Sequence, residues 1–179
     1  MTIAKYRVML FSIAWIGLAG LKLHAQAPAV EIPPVHATAL TGEKVDLPSG
    51  LNGRVGILVL GFSQGSRDAV AGWGKRLAAE YKASTTVLYY EMPMLESVPG
   101  LLRGYVTRKI GESIPDVGKS RFVPVLDHEK DWKKLTGYKG GDDAYVVVVE
   151  PAGAVRWKLQ GPAADGSFAE LKRQVEAGH

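Results

Sequence analysis

The stretch VGILVLGFSQGSRDAVAGW, residues 55–73, decides the fold. Its first half is a continuous apolar run, which predicts a strand buried on both faces of a sheet. Its second half begins a helix whose apolar residues recur at helical spacing: Val70, Trp73, Leu77 and Tyr81. Residues 61–66 are therefore predicted to form a tight strand-to-helix turn, in which Ser63 or Ser66 caps the helix.

The segments that follow continue an alternation of helices and strands. TTVLYYEMP (85–93) predicts the next strand. A second helix is expected after it, with Pro99 near its first turn and these apolar residues on one side: Leu95, Val98, Leu102, Tyr105 and Val106. RFVPVLD (121–127) predicts an edge strand, because Pro124 suits an edge. A short helix should run from Asp127 to Gly137.

Both ends of the chain add hairpins. AYVVVVEPAGAVRWKLQ (144–160) predicts two strands around a Pro-Ala-Gly turn, and a last helix covers about 167–176. HATALTGEKVDLP (36–48) predicts a shorter hairpin. A βαβ unit followed by a ββα unit predicts a thioredoxin-like α/β fold. It has three layers around a central mixed sheet, with an added N-terminal β-hairpin.

The first residues are typical of a targeting segment. Basic residues precede an uncharged run at 8–21, and Ala-Gln-Ala at 25–27 offers a cleavage site. This layout predicts a signal peptide at 1–27 and export to a bacterial periplasm. An uncleaved anchor is the alternative, although the run is shorter than the roughly 20 residues that a membrane span needs. A linker at 28–36 and one thioredoxin-like domain at 37–179 complete the predicted organisation.

The composition excludes several classes of function. Cysteine is absent from all 179 residues, so disulfides, thiolate catalysis and thiolate metal sites are excluded. The basic residues of the predicted signal peptide supply most of the net charge of +4, and no basic stripe with aromatics predicts a nucleic-acid partner. His36, His128 and His179 are too scattered for a zinc site. We expect neither a metal nor a cofactor.

The string Gly61-Phe62-Ser63-Gln64-Gly65 has the G-x-S-x-G pattern of serine esterases. Its strand-turn-helix context is the correct one, so a small esterase with Ser63 as the nucleophile is the alternative function. His128 would be its base, but Asp127 and Glu129 are only sequence neighbours of His128 and form no ready triad. No oxyanion-hole loop precedes Gly61.

The same turn is where a redox-active thioredoxin-like protein carries its dithiol. A helix N-terminus stabilises a thiolate there, and Ser63 and Ser66 occupy that position here. The usual cis-proline, which lies opposite the dithiol, corresponds to Ala144, where a trans peptide bond is expected. Because the dithiol and the cis-proline are both missing, the sequence predicts a thioredoxin-like protein that is not an oxidoreductase.

Four stretches carry a resemblance to a known family: DDAYVVVVEPAGAVRW (142–157), TGEKVDLP (41–48), GFSQGSRDAVAGW (61–73) and YEMPMLESVPGLLRG (90–104). Together they resemble the thioredoxin-like assembly factor of the mitochondrial ATP synthase and its bacterial relatives, over about residues 37–172. The resemblance implies a chaperone-like role that escorts a membrane subunit into its complex, with no catalytic residue. The predicted export signal departs from the mitochondrial members.

If the role is binding, exposed charges should contact the partner. The candidates are Arg103 on the second helix, Asp142 and Asp143 before the hairpin, and Arg156 on its second strand. The expected partner is a protein, such as a subunit of a membrane complex. The basic surface around Arg103 would also suit a position near lipid headgroups.

Overall fold

The computed structural model describes residues 29–177. The predicted signal peptide at 1–27 and His179 lie outside these residues. Between residues 29 and 177, no helix has both the length and the apolar character needed to cross a membrane.

The described chain alternates strands and helices much as its sequence predicts. The elements are β1 (Val35–Thr38), β2 (Lys44–Leu47), β3 (Val55–Gly61), α1 (Arg67–Tyr81), β4 (Val87–Pro93), α2 (Gly100–Ser113), α3 (Glu129–Thr136), β5 (Ala144–Val149), β6 (Val155–Gln160) and α4 (Asp165–Glu176). Short 3-10 helices cover Ser49–Leu51 and Asp116–Arg121.

The central sheet has the strand order β4-β3-β5-β6. β3 is parallel to β4 and antiparallel to β5, and β6 is antiparallel to β5. β1 and β2 form a separate antiparallel hairpin. The predicted mixed sheet and N-terminal hairpin are therefore confirmed. The register places Gly61, the last residue of β3, opposite Pro93 of β4 and Ala144 of β5.

Two apolar cores lie on opposite faces of this sheet. All residues of β3 and β5 are buried, because β3 lies between two strands and helices or the hairpin cover both sheet faces. On one face the hairpin and Trp132 of α3 pack against Leu58 and Leu60. On the other, α1 and α4 pack Trp73 and Leu171 against Ile57 and Val59. These cores fix the end of β3, where the candidate site begins.

The segment at 122–125 continues the sheet beyond β4. The Val123 N–H donates to the Glu91 carbonyl at 2.8 Å, and the Val125 N–H donates to the Pro93 carbonyl at 2.9 Å. The contacts are two isolated parallel bridges rather than a regular strand. The edge position that Pro124 predicts is the one observed.

The second helix differs from its prediction. Leu95 and Val98 belong to the preceding loop, and α2 contains no buried residue. Leu102 and Tyr105 are 52% and 54% exposed. The helix thus begins later than its sequence predicts, and Leu102 and Tyr105 stay outside the core, because the hairpin, α3 and residues 122–125 already cover that face of the sheet.

Candidate functional site

Two serines close the turn between β3 and α1. The Ser63 hydroxyl donates to Asp142 Oδ1 at 2.7 Å and accepts from the Ser66 backbone N–H at 3.1 Å. The Ser66 hydroxyl is buried and donates back to the Ser63 carbonyl at 2.8 Å. Of the two serines that the sequence offers as caps for α1, Ser66 makes no side-chain capping bond, whereas Ser63 Oγ accepts the Ser66 N–H just ahead of the helix.

Asp142 reaches Ser63 because β5 starts opposite the end of β3. This pairing brings the loop at 140–143 over the N-terminus of α1. Gly140 and Gly141 adopt φ values of +106° and +97°, which favour glycine. The Asp142 carboxyl group fills the place where a β-carbon on Gly65 would lie. A glycine at position 65 is thus required for this approach.

The site has a negative surface above a positive helix end. The Asp142 side chain is exposed at the N-terminus of α1, where a carboxylate is favourably placed. Asp143 accepts a hydrogen bond from Gln160 Nε2 at 2.8 Å. Ser63, Asp142 and Asp143 therefore come together as one surface, which we call the apex.

Ala144 occupies the position that the sequence assigns to the cis-proline. It is fully buried and paired with Gly61, and its carbonyl accepts the Gly161 N–H at 2.9 Å. Within residues 29–177 the cis peptide bond is the one before Pro48, so the bond before Ala144 is trans. The sheet begins here without the backbone distortion that a cis bond introduces.

His128 does not belong to the apex. It precedes α3 with φ +56°, and its Nδ1 lies 3.4 Å from Asp131 Oδ2. It lines a groove with Pro33 and Pro34, whereas the hydrogen bonds of the Ser63 hydroxyl go to Asp142 and Ser66. The described geometry thus provides no histidine base for Ser63.

The two predicted arginines lie apart from the apex. Arg103 Nε donates to the Val98 carbonyl at 2.8 Å, and its Nη2 donates to the Glu96 carbonyl at 2.6 Å. Arg156 pairs with Glu150 at 3.2 Å, and its side chain is only 17% exposed. Their roles in binding a partner, like those of Asp142 and Asp143, stay predictions.

Glu91 is a titratable group that the sequence analysis misses. It lies on β4 with its carboxyl group against Gly74 of α1, and burial raises its pKa to about 7. The sequence feature that could have identified it is the single acidic residue in the otherwise apolar strand at 85–93. Its side chain faces α1 at Gly74.

Comparison with known proteins gives the fold. No protein-family model and no curated protein matches this chain. The thioredoxin domain of a thiol-disulfide oxidoreductase from Bacteroides vulgatus superposes with a TM-score of 0.56 at 17% identity, covering 84% of this chain and 99% of that one. The fold is thioredoxin-like.

Two further solved structures have the same fold. The exposed lipoprotein thioredoxin Etrx1 of Streptococcus pneumoniae has a TM-score of 0.56 at 12% identity, covering 80% of this chain and 99% of that one. BsSco, of the Sco family of cytochrome c oxidase assembly proteins, has a TM-score of 0.53 at 13% identity, covering 83% and 95%. The present chain has no cysteine, so it has no thiol of its own for thiol-disulfide exchange.

Proposed function

We propose that this chain is a non-redox thioredoxin-like protein that binds a protein partner and acts as an assembly factor near a membrane, outside the cytoplasm. The observation that carries the proposal is the hydrogen bond between Ser63 and Asp142. It occupies the turn where a dithiol would lie, in a chain that contains no cysteine.

The apex suits binding better than covalent chemistry. The Ser63 hydroxyl donates its proton to Asp142 and accepts the Ser66 N–H, so its proton is held by a carboxylate rather than by a histidine base. Asp142 keeps its second carboxylate oxygen for an outside donor, and its side chain is exposed. A basic or amide-rich segment of a partner would find these acceptors at the end of the sheet.

Two observations support an assembly role in particular. BsSco shares the fold and belongs to a family of assembly proteins. The sequence motifs resemble those of the ATP synthase assembly factor, which makes a membrane subunit of a proton-conducting complex the first partner to seek. The predicted export signal and the fold of the exposed lipoprotein Etrx1 favour a location outside the cytoplasm.

Co-purification tests this proposal. The full chain, tagged at its C-terminus, is isolated from envelope membranes of its native cells in mild detergent, and the bound proteins are identified by mass spectrometry. We expect a membrane-complex subunit that is lost with Asp142→Arg. Glu176→Arg is the matched control, because Glu176 lies near Tyr81 at the opposite end of α1. Recovery of no membrane subunit contradicts the proposal.

A further inference from the structure

A groove runs beside α2, away from the apex. Its volume is about 600 Å³. Its lining includes Leu40, from the β1–β2 turn, and Leu126, which follows the segment at 122–125. It also includes Gly104, Thr107 and Gly111, which recur on one face of α2. These small residues allow another backbone to approach closely.

The rim of the groove carries unbalanced positive charge. Arg103 and Arg108 have no carboxylate partner among residues 29–177: Arg103 donates to backbone carbonyls, and Arg108 lies over the Tyr105 ring. Glu112, the acid of the lining, is already paired with Lys109 at 2.8 Å. The positive charge of both guanidinium groups is therefore not neutralised by a carboxylate, and Arg103 Nη1 and the planar fork of Arg108 remain for an incoming anion.

The lining of the α2 groove indicates what kind of partner segment could bind there. The leucines favour apolar side chains and the arginines favour acidic ones, so the groove suits a peptide segment that carries both.

We propose that the α2 groove is the docking site for an acidic, partly apolar segment of the partner protein, lying over Gly104 and Thr107 between the leucines and the arginines. The inference rests on the proposed function, because it names where that partner binds and what chemistry it presents. It adds a second contact surface to the apex.

Site-specific photo-crosslinking of the full chain in its native cells tests the proposal. Leu126, which lines the groove and is 47% exposed, is replaced by p-benzoylphenylalanine, and the crosslinked peptide is sequenced by mass spectrometry. The expected adduct is a protein segment with a surplus of Asp and Glu interleaved with apolar residues. Crosslinking to lipid, to a second copy of this chain or to a segment without an acidic surplus overturns the proposal, as does no adduct.

Two substitutions and a matched control show whether the groove itself binds. Gly104→Leu fills the groove without a clash, because nothing lies within 4 Å of a β-carbon there. Arg108→Glu reverses one rim charge. Each should lower the adduct yield at least about tenfold. Gly72→Leu places the same side chain in equally open space on α1 and should leave the yield unchanged. An unchanged yield with both groove variants overturns the proposal.

Co-purification separates failure of this inference from failure of the proposed function. If Gly104→Leu and Arg108→Glu still recover the membrane subunit at the wild-type level, the groove proposal fails and the assembly role stands. If the unmodified chain recovers no membrane subunit, the proposed function fails as well.

Discussion

Glu91 packs its carboxyl group against Gly74, in the place that a β-carbon at position 74 would occupy. The strand residue and the helix glycine therefore form one unit inside the α1 face of the sheet. Burial favours the neutral acid and raises the pKa of Glu91 from 4.5 to about 7. A carboxyl group in this place makes the stability of the fold sensitive to pH near neutrality.

Glu91→Gln should flatten the pH dependence of stability between about pH 4.5 and pH 7. The folded protein holds the Glu91 proton more tightly than the unfolded chain, so this stabilisation is complete below the unfolded pKa and is lost as pH rises through the folded pKa. The loss is on the order of 3 kcal/mol at most. Urea unfolding of both proteins at pH 5 and pH 8 measures it, and parallel pH slopes would contradict the assignment.

Gly74→Ala should stabilise the protein less than Gly72→Ala does. Both changes gain helix propensity, worth about 1 kcal/mol in an open position. A β-carbon at 72 meets nothing within 4 Å, whereas one at 74 displaces the Glu91 carboxyl group. The free energies of unfolding of the two variants provide the comparison, and equal gains would show that Glu91 moves aside without cost.

A double-mutant cycle on Ser63 and Asp142 should give a coupling free energy of about 1 kcal/mol. Ser63→Ala removes the donor and Asp142→Ala removes the acceptor of the 2.7 Å hydrogen bond. The coupling is read from urea unfolding of the two single variants and the double variant. Additive effects would mean that the bond contributes nothing to closing the turn.

Glu129→Ala should cost about 1–3 kcal/mol, because it removes a buried carboxylate and the charge-assisted hydrogen bonds that it accepts. Glu129 accepts the Ser97 N–H at 3.0 Å and pairs with Lys133 at 2.6 Å. Glu112→Ala, which breaks only the exposed pair with Lys109, should cost less than about 0.5 kcal/mol. Thermal and urea unfolding of both variants test the contrast, and a similar small cost for both would contradict it.

Acid should weaken the Glu129 contact. Burial alone raises the pKa of Glu129, but hydrogen bonds from Lys133 and Ser97 lower it overall. A lowered folded pKa gives stability that is present above the unfolded pKa and is lost as pH falls through the folded one. Wild type should therefore lose more stability than Glu129→Ala on acidification below about pH 4. An identical loss would count against the pairing.

The sequence predicts most of the sheet, because β3 and β5 are continuous apolar runs that suit full burial on two faces. It predicts the helix that carries Leu102 and Tyr105 but not that both side chains stay exposed, since apolar spacing does not show that the sheet face is already covered. It identifies Ser63 and Asp142 separately. Their hydrogen bond depends on the strand register, which one sequence does not specify.

The central claim is that Ser63, held by Asp142, is chemically silent at the position where redox-active proteins of this fold carry a dithiol. Intact-mass spectrometry after exposure to a fluorophosphonate probe tests it most directly, beside a serine hydrolase that labels fully. We predict no increase in mass. A stoichiometric adduct that disappears in Ser63→Ala would contradict the account and make the chain a serine hydrolase.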